Sequence, residues 1–158
     1  MDKKNFYIQE AEVDESNLIT WNQELEQERK SALFDLINTS FFKLFKESTG
    51  PYNIKIKLYE WKLQLNITDC FDEAQEEVKI SLSGVRRIIR DYQIVCDNYI
   101  DAIKTAPIKK IEAIDVGRRS IHDEGANYLK ELLQDKIEVD METSRRIFTL
   151  ISILSSKI

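Results

Sequence analysis

The chain has 158 residues, 42% of them hydrophobic and 32% charged, and a net charge of −5. That length suits one domain, residues 1–158, with a core that needs no metal or disulfide staple. The acidic balance lacks the basic footprint that neutralises nucleic-acid phosphates, and the two cysteines, Cys70 and Cys96, give neither a disulfide framework nor zinc spacing.

Phe6 to Val13 alternates as a strand does. Leu18, Ile19 and Trp21 lead into a helix capped by Asn22, with Leu25, Ala32, Leu33, Leu36 and Ile37 as its apolar stripe. Phe41 to Phe45 reads as an extra turn or an apolar loop, and Gly50-Pro51 as a break. Ile54, Ile56 and Leu58, then Leu63, Leu65 and Ile67, alternate with polar residues about a turn near Tyr59-Glu60, which predicts an antiparallel hairpin. Asp69 to Glu77 is an acidic loop, and Val78, Ile80 and Leu82 form a further strand.

Ser83 is the expected cap of a long helix whose stripe runs from Val85 to Ile103, with Cys96 on it as a buried thiol. Pro107 opens the next helix, which carries Ile111–Gly125 and ends beyond Leu133. Gly117 and Gly125 leave open whether 111–133 is one helix or two. Ile137 and Val139 suggest a short edge strand, and Asp140 or Thr143 caps a last helix. The order is not an alternating βαβ pattern, so the predicted class is α+β: a small antiparallel sheet with helices mainly on one face. The first eight residues carry no apolar run, and Phe148–Leu154 is too short to span a bilayer. The expectation is a cytoplasmic protein with no membrane partner.

Ile111–Gly125 holds the only histidine, two of the four glycines and the pair Arg118-Arg119. On one helix, Asp115, Arg118 and His122 share the core-facing side with Ile111, Ile114, Ile121 and Tyr128, while Asp123 and Glu124 point away. Asp115 reaches both arginines at i,i+3 and i,i+4. Two readings follow: a buried structural network of Asp115, Arg118, Arg145 and Arg146, or an anion site built from Arg86, Arg118, Arg119 and His122. Arg86 and Arg90 crowd like charges at the positive end of their helix and call for a carboxylate, such as Glu76 or Glu77, or a phosphate. The last helix is apolar over roughly two-thirds of its circumference, which fits a central core helix or a homodimer interface.

Several separated stretches resemble the uncharacterised protein family UPF0262 of alphaproteobacteria: Gly50-Pro51-Tyr52, Arg86-Arg87 with Asp91-Tyr92, Ile111 to Arg119, His122, Glu124-Gly125, and Arg145-Arg146 with Phe148-Thr149-Leu150. The likeness runs from about Glu28 to Leu154. Where the family pattern reads His-Glu-Arg, this chain has Gln27-Glu28-Arg29, and its Phe41–Phe45 segment is more aromatic than the family's glycine-rich loop. The resemblance implies no activity.

One histidine and scattered carboxylates give no metal spacing, and nucleotide-loop and serine-nucleophile motifs are absent, so neither metal nor cofactor is expected. The predicted function is non-catalytic binding or assembly through an arginine-rich site for a small anion or a protein partner. The alternatives are an enzyme acting on a phosphorylated or carboxylated small molecule through His122 with Arg118 or Arg119, and an RNA-associated factor using Phe42 or Phe45.

Overall fold

The computed structural model describes residues 5–14, 23–45, 50–69, 71 and 73–155. Leu18, Ile19, Trp21, the expected Asn22 cap and Cys70 lie outside them. The centre of the sheet is the hairpin of β3 (Tyr52–Tyr59) and β4 (Lys62–Thr68). Its pleat sends Ile54, Ile56, Leu63, Leu65 and Ile67 into the core, and Lys55, Lys57 and Gln64 to the other face. Glu60 and Trp61, both at positive φ, make the two-residue turn that matches the twist of the strands.

Strand β1 (Ile8–Val13) lies beside β3, and β5 (Ala74–Ser81) beside β4, giving the order β1-β3-β4-β5. The class is α+β as predicted, but the sheet is mixed, because β1 runs parallel to β3. A second, two-stranded antiparallel sheet joins β2 (Phe42–Leu44) to β6 (Ile137–Val139). The Phe41–Phe45 segment is thus a strand rather than a turn or loop. Its partner lies far along the chain, and Phe42 and Leu44 are buried while Lys43 points outward.

Four helices complete the chain: α1 (Gln23–Thr39), α2 (Arg86–Thr105), α3 (Ile108–Leu133) and α4 (Met141–Leu154). Ser83 does not cap α2. Val85 stands at that position without a side-chain cap, and the Ser83 hydroxyl lies 3.0 Å from that of Ser81. Pro107 is the residue preceding the first turn of α3. The open question over 111–133 resolves as one helix. Gly125 permits it to pack, because a methyl group there would overlap the Phe148 ring of α4. Ser144 donates to the Ala126 carbonyl at 2.6 Å in the same contact.

Helix α4 is central. Asp140 caps it by accepting from the Thr143 amide at 2.9 Å. Ile147, Phe148, Leu150, Ile151 and Ile153 are all buried inside the chain. Its wide apolar face is therefore filled by α1, α3 and the core, which removes the reason for placing a homodimer contact there. Among the described residues no helix is long and apolar enough to cross a membrane.

Candidate functional site

Three helices converge on a cleft of about 420 Å³. From α1 come Glu28, Ser31, Ala32 and Asp35, at the i, i+3, i+4, i+7 spacing that keeps side chains on one helix face. Helix α3 contributes Arg118, Arg119, His122 and Asp123, and α4 contributes Arg145, Arg146 and Thr149. Tyr92 of α2 reaches in from behind.

The Arg118 guanidinium binds Asp115 through Nε at 3.0 Å and Nη2 at 2.6 Å, and stacks 5.0 Å above the Tyr99 ring. Arg119 reaches the other oxygen of the same carboxylate at 2.9 Å. Its side chain is 67% exposed, against 26% for Arg118 and 22% for Asp115. The network expected to be buried is therefore half-exposed at the cleft rim. Removing Arg118 would leave Asp115 with Arg119 and water, a small loss instead of a stranded buried charge. The two guanidiniums hold the Asp115 carboxyl below the usual range, chiefly through the Arg118 hydrogen bond.

Arg145 and Arg146 tie the helices together. Arg145 Nε donates to Asp123 Oδ1 at 2.9 Å, and its Nη1 binds Glu142. Arg146 Nε lies 3.3 Å from Asp35 Oδ2 on α1, at ion-pair distance but poorly aligned for a hydrogen bond. Asp123 thus turns toward α4, not away from the core-facing side as its position suggested.

His122 is enclosed by aromatic rings. It stacks on Phe148 with centroids 5.3 Å apart and packs at 5.1 Å against Tyr92. Its Nε2 lies 2.8 Å from Thr149 Oγ1. The Thr149 hydroxyl also lies 3.1 Å from the Arg145 carbonyl, so it is held between that oxygen and the imidazole. Burial first, and the nearby arginines next, push the imidazole down to about 4. His122 is therefore neutral near pH 7.

Of the predicted site residues, Arg118, Arg119 and His122 line this cleft together with Arg145 and Arg146. Arg86 does not. It stacks on Trp61 at 4.8 Å, and Arg90 does the same at 5.1 Å. Both guanidiniums thus lie over one aromatic face, a favourable cation–π contact. Cys96 is half-buried, not buried, and burial pushes its thiol up to about 11, far from a reactive thiolate. Gly117 faces open space, so close packing explains only Gly125. Among the described residues no cluster of His, Cys, Asp and Glu could hold a metal ion.

Sequence reasoning missed Glu28, Asp35, Tyr92 and Thr149. Burial raises the Glu28 carboxyl above its ordinary value, against the pull of Arg118. Three of the four stood in stretches already singled out: Gln27-Glu28-Arg29, Asp91-Tyr92 and Phe148-Thr149-Leu150.

The molecule is an α+β protein with a mixed sheet, a two-stranded sheet and a polar interhelical cleft. The chain belongs to the uncharacterised protein family UPF0262, which matches residues 5–157. A UPF0262 protein of Brucella anthropi is 44% identical over 154 residues, covering 95% of this chain and 94% of that protein. One from Caulobacter vibrioides is 39% identical over 152 residues, covering 96% and 94%. No solved structure matches the chain.

Proposed function

We propose that the protein binds a small oxyanion-bearing molecule at the Arg118-Arg119 rim of the cleft, and that it does so without catalysis. The observation behind this reading is the charge balance at the rim, where two guanidiniums share the single carboxylate of Asp115. Within that trio the positive charge is in excess, and Arg119 is mostly exposed beside a cleft of about 420 Å³ that Glu28 also lines. A guanidinium pair of this kind suits an oxyanion through charge-assisted, two-pronged hydrogen bonds. Arg145 and Arg146 face three carboxylates, Asp35, Asp123 and Glu142, and act as struts between helices.

Two features favour binding over the alternatives. A histidine held near 4 is neutral near pH 7 and lacks the acidic imidazolium proton, so His122 is a poor general acid, and its low basicity makes it a weak base. Of the two rings considered for base stacking, Phe42 is fully buried and Phe45 is exposed, but carboxylates interrupt the basic residues of the cleft, unlike the continuous groove that single-stranded RNA calls for.

The test is thermal unfolding during titration with inorganic phosphate, with chloride adjusted to constant ionic strength. The midpoint rises with the logarithm of phosphate concentration above Kd, and the stabilisation reaches about 1.4 kcal/mol at ten times Kd. Arg118→Met with Arg119→Met abolishes the rise. Equal responses to phosphate and chloride would overturn the reading.

A further inference from the structure

A second hollow, of about 480 Å³, adjoins the cleft. The two share Glu28, Tyr92, Arg118 and Thr149 as a common wall. Their chemistry differs. The first is ringed by arginines and carboxylates, whereas the second has an apolar floor of Leu25, Ile100, Ile103 and Ile153 with the Tyr99 ring, flanked by Glu24, Gln93 and Asp97. Ile103 stands 51% exposed at its mouth. Arg118 belongs to both, with its guanidinium on Asp115 and its flat face on Tyr99.

An oxyanion seated at the Arg118-Arg119 rim therefore has an apolar trough directly beside it. Resting on the oxyanion reading above, we propose that the ligand is an amphiphilic organic acid: its carboxylate or equivalent oxyanion meets Arg118 and Arg119, and a hydrocarbon arm of several carbons lies along Leu25, Ile100 and Ile103. Charge selects one end and desolvation the other. Glu28, at the junction, disfavours a second negative charge on the arm and so restricts the ligand to one acidic end. The trough's exposed isoleucine supplies the driving force, because covering apolar surface releases its hydration shell.

The experiment uses the full chain and straight-chain carboxylates from acetate to octanoate, below their micelle-forming concentrations, with calorimetric Kd values. Affinity rises about two- to fourfold for each methylene that enters the trough, the range expected for burial of a CH₂ group. Ile103→Ser, a change at an exposed position, flattens the series, read as the ratio of octanoate to acetate Kd. Methyl NMR shifts at Ile100 and Ile103 grow with chain length. Hexanol and hexylammonium bind more weakly than hexanoate. Phosphate binding with no chain-length dependence among the carboxylates would overturn this inference and leave the oxyanion reading standing. Absence of binding by phosphate and every carboxylate would overturn both. Hexanol or hexylammonium equalling hexanoate would show that the arm binds without the arginines, and would also overturn it.

Discussion

His122 links the interior of this protein to pH. An unfolded histidine titrates near 6.5, while burial between Phe148 and Tyr92 holds the folded one near 4. Between those values the unfolded chain binds a proton that the folded chain refuses, so stability falls as pH drops through this window. Above about pH 7 both states are neutral and the contribution is constant. The full loss is about 3 kcal/mol from a gap of about 2.5 units. Urea midpoints measured from pH 7.5 to pH 4 will show this decline, and His122→Gln, which keeps a hydrogen-bonding group for Thr149, will flatten it. A wild-type midpoint constant across the window would contradict the enclosed, neutral imidazole. Asp115, lowered chiefly by its Arg118 hydrogen bond, acts with the same sign but below pH 4, so the two windows separate. Residue identity alone showed that His122 shares a helix face with Arg118. It did not show the rings around it, because those come from α2 and α4.

At the scale of elements, α3 gives a paired test. Its two glycines each cost about 1 kcal/mol of helix stability relative to alanine, but only one has a structural reason to be there. Gly117 faces open space, so Gly117→Ala should stabilise the protein by up to about 1 kcal/mol. At Gly125 a methyl group would overlap the Phe148 ring, so Gly125→Ala should destabilise by about 1–3 kcal/mol despite the better helix former. Thermal unfolding of both variants decides it; a shift of the same sign in both would refute the packing argument. The period of 3.6 revealed α3 and the period of 2 revealed the β3–β4 hairpin, because each pattern is local. Three features were not legible for the opposite reason. The short strand β2 depends on a partner far along the chain, the parallel direction of β1 leaves no mark on alternation, and Arg86 finds an aromatic partner in a turn that reads only as a turn. The cleft was half-legible: its α3 residues share one helix, while Glu28 and Asp35 join them only through the packing of α1 on α4.

At the scale of the whole molecule, α4 decides whether apolar surface is spent inside the chain or between chains. Ile151 is 2% exposed and lies within the single core that also holds Leu36 of α1, Ile89 of α2, Leu129 of α3 and the hairpin residues. Truncating it removes buried methyl groups and leaves a void in that core, a loss of about 2–5 kcal/mol. Because the neighbours belong to the same chain, the loss for Ile151→Ala is the same at every protein concentration. An interface residue behaves otherwise: its loss enters the association constant, so wild type and variant are equally stable when dissociated and diverge as wild type associates. Denaturant unfolding of wild type and variant over a hundredfold range of concentration separates the cases. A constant difference in midpoint fits α4 as the core helix, and a difference that grows with concentration would return it to the role of a contact between copies.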